Sequence, residues 1–227
     1  MATASRALRR PFVAVGAVAA VIVAADLVTD GNSTSSSEPT VVRVTATSPY
    51  QFDSLLAMAD ASDLVVTGTV VATERGRLVG EPNGGGIVSR LVTIDVDDVL
   101  LPEARSDVTT ILVEEEGWLP TGEVLLVDDL APSAVGDSGV WFLDALDGTD
   151  APTLVVINSQ GRFLDVGGAV VGGRIGDPLV DAVEAVEYAE LVDTLRQLSD
   201  LMTDAAHVGD ERHGEPAVHR HGEEMHA

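Results

Sequence analysis

From Leu64 onward the chain runs in short blocks of β-branched residues broken by glycine and acidic turns. Leu64 to Thr73 is almost continuously apolar with Gly68 near its middle, and it reads as the first strand of a small closed or nearly closed barrel. Ile87 to Leu101 alternates, with Val92, Ile94 and Val96 on one face and Thr93, Asp95 and Asp97 on the other. Period-two alternation predicts a strand with one buried and one solvated face. Between these two strands, Arg75 to Gly86 holds Gly76, Gly80, Pro82 and Gly84-Gly85-Gly86, which predicts a long flexible hairpin loop. Pro102 to Asp107 turns the chain, and a third strand is expected over Val108 to Glu114. A short strand at Val124 to Val127 follows, then a strongly buried one at Val140 to Leu143 and another at Leu154 to Ile157. Gly161 to Val166 and Ala169 to Val171, joined by Gly167-Gly168, have the pattern of a closing hairpin.

Helical spacing appears twice outside the strands. Phe52, Leu55, Leu56 and Met58 or Ala59 predict a short helix within Tyr50 to Ala61. Asp177-Pro178 has the form of a helix cap with proline in the first turn. After it, Val180, Val183, Val186 or Tyr188, Leu191, Val192, Leu195 and Leu198 recur at helical period, with Asp181, Glu184, Glu187, Glu190 and Asp193 between them. This is an amphipathic helix, broken near Glu187, that covers one face or open end of the barrel. The predicted fold is therefore mainly β, with a minor α part. A five- to six-stranded β-barrel of the oligonucleotide/oligosaccharide-binding (OB) type occupies 50–175, with a short N-terminal helix and a C-terminal helix at 176–202.

The first 49 residues have another character. Met1 to Arg10 carries Arg6, Arg9 and Arg10 and no acid, and Phe12 to Ala25 is unbroken apolar sequence. Residues 1–29 thus have the layout of a signal peptide or signal anchor, with small residues at Ala24 and Ala25 for cleavage. Arg9-Arg10-Pro11-Phe12-Val13 also resembles a twin-arginine export signal. The Ser- and Thr-rich stretch 30–49 is expected to be a linker. Export predicts an extracytoplasmic protein, secreted or anchored to the cytoplasmic membrane, with membrane contact only through the N-terminal segment.

Composition narrows the function. Apolar residues make up 45% of the 227 positions but aromatics only 4%, so the core must be built of Val, Leu, Ile and Ala. The formal net charge of −24 argues against nucleic-acid binding, which relies on clustered cations. All thirteen basic residues are Arg, consistent with a coding bias or with a high-salt proteome. Cysteine is absent, which excludes a disulfide, a thiolate metal site, a cysteine nucleophile and a lipoprotein anchor.

Leu55-Leu56 followed by Ala59-Asp60-Ala61-Ser62-Asp63-Leu64-Val65-Val66-Thr67-Gly68-Thr69-Val70-Val71 resembles the opening of netrin-like domains, the family that includes the tissue inhibitors of metalloproteinases. The resemblance continues through the long loop, the strand Val92 to Val99, Trp141-Phe142-Leu143 and the short strands to Val166, and so covers about half of the chain. It implies an OB-type barrel with terminal helices. The inhibitors reach a protease zinc through an N-terminal cysteine, and no position here matches those residues. A cysteine-free bacterial relative of unassigned role is what the resemblance implies.

Candidate chemistry is sparse. Gly136-Asp137-Ser138-Gly139 is the tetrapeptide around the nucleophile of trypsin-like proteases, but a serine nucleophile needs a histidine base and no histidine precedes His207. A turn launching the strand Val140 to Leu143 is expected instead. Glu114-Glu115-Glu116, Asp97-Asp98 and Asp128-Asp129 are candidate calcium ligands. Adjacent acids on a strand point to alternate faces, however, so these read as solvated charge runs. Gly84-Gly85-Gly86 lacks the Lys-Ser or Lys-Thr of a phosphate loop. The tail 203–227 is expected to be disordered. It holds His207, His213, His219, His221 and His226 among carboxylates, a loose candidate site for zinc, nickel or copper.

The expectation is an exported, non-enzymatic barrel that binds an extracytoplasmic protein or small ligand and carries no resident cofactor. A metal-binding tail or a protease-inhibitor-like domain are the alternatives.

Overall fold

The computed structural model describes residues 40–45, 51–81, 85–102, 107–128, 130–146 and 153–211. Within them the strands are β1 (Val41–Val44), β2 (Leu64–Val79), β3 (Ile87–Leu101), β4 (Thr110–Trp118), β5 (Val124–Val127), β6 (Ser138–Ala145), β7 (Leu154–Val156), β8 (Arg162–Val166) and β9 (Ala169–Gly172). The helices are α1 (Leu55–Ala61), α2 (Pro178–Glu184) and α3 (Tyr188–Glu211). None of the helices among the described residues is long and apolar enough to cross a membrane.

Five strands close on themselves. β2 pairs antiparallel with β3 and with β6, β3 with β4, and β6 with β7. The ring is sealed by a parallel pairing of β4 with β7, Val113 opposite Leu154. One parallel seam among antiparallel neighbours gives the OB-type strand order, and closure removes the edges of all five strands from that ring. β5 and β1 extend the sheet beyond β4, while β8 and β9 extend it beyond β6.

Strict alternation along β2 and β6 divides the core in two. Leu64, Val66, Trp141 and Leu143 point into the lumen, where they meet Val92, Ile94, Ile111, Val113 and Leu154. Val65, Val140 and Phe142 point the other way, onto Phe163 and the helices, where Met58, Val180, Val183, Leu191 and Leu195 cover them. The helical layer therefore covers the outer face of β2, β6 and β8. Gly68 and Gly139 lie side by side where β2 meets β6. A Cβ at Gly68 would lie 2.4 Å from the Asp95 carbonyl oxygen, and one at Gly139 would lie 2.3 Å from that of Phe163. Only glycine lets the backbones approach this closely.

Local chemistry sets the helix boundaries. Ser54 caps α1, its hydroxyl accepting from the Ala57 amide. The Asp177 carboxylate accepts from the amides of Leu179 and Val180, with Pro178 in the first turn, as its sequence predicts. The same carboxylate receives the amide of fully buried Gln160 at 3.0 Å, and Gln160 also bonds both the amide and the carbonyl of Phe52. One glutamine thus ties the lead-in to α1 to the start of α2. The predicted break near Glu187 is present. Glu187 forms a bridge with Ala169 of β9, and the Tyr188 amide donates to Gly168, so the chain leaves helical geometry to reach the sheet before α3 begins.

Four expectations are corrected. Part of the stretch 30–49 is not linker: Val41–Val44 add as a strand parallel to β5, where Val and Arg side chains suit a pleated edge. The expected loop from Arg75 is strand as far as Val79, because Gly76 and Arg77 together oppose Ser89 in a β-bulge that absorbs the glycine. β4 continues past Glu114 to Trp118. α3 passes residue 202 and runs through His207 to Glu211.

Candidate functional site

The end of the lumen nearest the β2–β3 hairpin is polar. Cross-strand register puts Arg162 beside Trp141, and Arg90 beside Glu115, on the face that carries Val92 and Val113 deeper in the barrel. Arg162 is 3% exposed and the Glu115 side chain 7%. Arg162 donates to the Ser133 hydroxyl at 2.7 Å, to the Glu115 carboxylate at 3.4 Å and to the Ala131 carbonyl. Fully buried Ser133 donates its hydroxyl and its amide to Glu115. A cation taken out of water is tolerable only when paired and hydrogen-bonded in this way. The loop before β6 is thereby anchored to β4 and β8.

Above this cluster lie Arg75, Arg90 and Trp118. Arg75 and Arg90 are cross-strand partners on β2 and β3. Their guanidinium carbons sit 4.8 and 4.4 Å from the centre of the Trp118 ring. A second bulge, at Gly117, places Gly117 between the pairs Glu116–Ser89 and Trp118–Val88. Simple alternation would put Trp118 on the opposite face from Glu115, and the extra residue returns it to the arginine side. Arg90 donates to the Ser133 carbonyl at 3.4 Å, while its buried Nε has no partner among the described residues. Burial, helped by the charge of Arg162 and opposed by Glu115, lowers the Arg90 pKa.

The outer face holds a separate pair. Arg77 reaches across β3 and grips Glu114 through Nε and Nη2, both at 3.0 Å. Burial pushes the Glu114 carboxyl up, but Arg77 and the Ser89 hydroxyl outweigh it and hold the group below the usual carboxylate range. A carboxylate depressed in the folded state contributes stability that is present above its unfolded pKa and lost as pH falls through the folded one. Glu114→Gln is therefore expected to flatten the acid limb of a stability-against-pH curve below about pH 4. Thermal unfolding at a series of pH values checks this, and an acid limb identical to that of the parent chain would contradict it.

The structure redistributes the sites read from the sequence. Glu114 and Glu115 do face opposite sides, but they are not solvated: each is buried against an arginine from a distant strand. Asp98 pairs with Arg196 of α3. Gly136-Asp137-Ser138-Gly139 is a turn, with Asp137 accepting from the Ala134 amide and Ser138 donating to the Gly68 carbonyl at the start of β6. Among the described residues, no three His, Asp or Glu side chains converge as metal ligands. His207 lies in α3, with its side chain outside the described residues, and His213, His219, His221 and His226 lie outside them altogether.

The Arg75–Arg90–Trp118 group escaped the sequence reading. The signal available was the scarcity of arginine, with two of the few placed on the facing strands of one hairpin.

No family model matches this chain, and none of the curated proteins resembles it significantly.

Proposed function

We propose that the protein is an exported, non-enzymatic binding module that engages its partner through the hairpin end of the barrel. The observation that carries this reading is the reach of the β2–β3 hairpin. β2 pairs with β6 only over Leu64–Thr69, whereas its pairing with β3 continues to Val79 opposite Ile87. The distal half of β2 therefore projects from the closed ring and exposes Val71, Leu78 and Val79. A projecting strand whose edge beyond Val70 pairs with no other strand among the described residues, and which exposes apolar side chains, suits recognition by strand addition or side-chain docking. Export is supported by the basic-then-apolar start of the chain. A non-enzymatic role is supported by the Ser138 hydroxyl being spent on the Gly68 carbonyl and by Glu114 and Glu115 being held in ion pairs.

The test is capture from an envelope extract by the full chain and by a variant whose hairpin is cut back to a two-residue turn. Species held by the full chain and lost from the trimmed one, with the circular dichroism unchanged, support the proposal. Capture that is indifferent to trimming overturns it.

A further inference from the structure

Within the hairpin-end reading, the ligand chemistry is set by a local excess of positive charge. The chain carries a formal charge of −24, and carboxylates outnumber arginines almost three to one. Yet the Arg75 side chain forms no ion pair and no hydrogen bond among the described residues, where it lies over the Trp118 ring. Among the described residues, Arg90 beside it has no carboxylate within salt-bridge distance and keeps a buried Nε without an acceptor. Glu115, the cross-strand partner of Arg90, is already committed to Arg162 and Ser133. Two guanidiniums thus lie over one indole ring, and in so acidic a chain a carboxylate partner would be easy to supply.

The geometry around them is built rather than incidental. A Cβ at Gly117 would fall 2.7 Å from the Val88 carbonyl oxygen and 3.0 Å from the Arg90 amide nitrogen. The bulge that turns Trp118 onto the two arginines therefore requires glycine. An indole face stabilises a guanidinium without using its N–H donors, so the Arg75 fork and the Arg90 Nη2 remain available. Planar guanidinium forks match the oxygen spacing of carboxylate, sulfate and phosphate.

We infer that Arg75 and Arg90, held by Trp118 at the mouth of the barrel, form a binding site for the oxyanion group of a ligand. The Arg75 fork and the Arg90 Nη2 would share one oxyanion, whose negative charge offsets the two cations.

The inference rests on the hairpin-end proposal for its biological setting, but its test is separate. Trp118 and Trp141 are the chain's two tryptophans, and Trp141 is fully buried, so a change in emission on ligand addition reports chiefly Trp118. The full chain is titrated with sodium succinate, sulfate and phosphate at constant ionic strength maintained with sodium chloride. A saturable change is expected with at least one of these probes, weakened tenfold or more in Arg75→Gln and unaltered in Arg196→Gln. Arg196 is an exposed arginine on α3 that pairs with Asp98. Tighter binding of succinate assigns the site to carboxylate groups, and tighter binding of sulfate or phosphate assigns it to tetrahedral oxyanions. No saturable change with any probe, or equal titrations in the parent and Arg75→Gln, overturns the inference. If partner capture still depends on the hairpin in that case, only the oxyanion site falls. If the oxyanion binds but capture ignores the hairpin, it is the module proposal that falls.

Discussion

Replacing Arg162 by Met is expected to destabilise the fold by about 3–5 kcal/mol, the usual cost of breaking a buried pair from one side. The size follows from what is left behind. Arg162 is 3% exposed, and its loss strands the Glu115 carboxylate, whose side chain is 7% exposed, in a closed barrel end. Ser133 still donates its hydroxyl and amide to Glu115, so the carboxylate keeps neutral partners but loses its counter-charge. The Ala131 carbonyl loses its donor as well. The double variant Arg162→Met/Glu115→Leu removes both charges and refills the space, and it is expected to recover roughly half of the loss or more. Urea unfolding of the three chains measures this. A single variant costing less than about 1 kcal/mol, the scale of an exposed pair, would mean that the cluster is wet and that the barrel end is not closed.

Phe142→Ala is the second large effect, expected at about 3–5 kcal/mol. Phe142 is fully buried on the helix-facing side of β6 and meets Phe163 edge-on at 6.1 Å between ring centres. It sits among Val65, Val140, Leu191 and Leu195 in the layer between the sheet and the helices. Its backbone is equally tied, the amide donating to Gly161 and the carbonyl accepting from Ile157. The surrounding strands therefore cannot collapse into the space left by the ring. The helices should loosen first, so the variant should unfold at lower urea while β3–β4 amides keep the slowest hydrogen exchange. Unchanged stability would show that the helices do not pack where described.

The fold was largely legible because valine and isoleucine mark strand faces clearly. β3 and β5 occupy the predicted residues, and the buried V-W-F-L run is the centre of β6. What escaped was set by tertiary partners. Val41–Val44 is too short to announce a strand alone and exists by pairing with β5. The distal half of β2 looked like a loop because Gly76 serves as well in a bulge as in a turn. Glu114 and Glu115 looked solvated because their counter-ions come from afar: Arg77 lies 37 residues from Glu114, and Arg162 lies 47 from Glu115. No local window contains both halves of either pair. The Arg75–Arg90–Trp118 group was hidden for the same reason, since its residues meet only once β2, β3 and β4 are in register.

Closure of the ring of β2, β3, β4, β7 and β6 buries Arg162 and Glu115 and sets the mouth beneath Trp118. The most direct test is a methyl-labelled nuclear Overhauser measurement on the full chain across the parallel seam. Leu154 should show contacts to Val113 of β4 and to Ala145 of β6 in the same sample. Contacts from Leu154 to β6 with none to β4 would describe an open sheet and contradict the account.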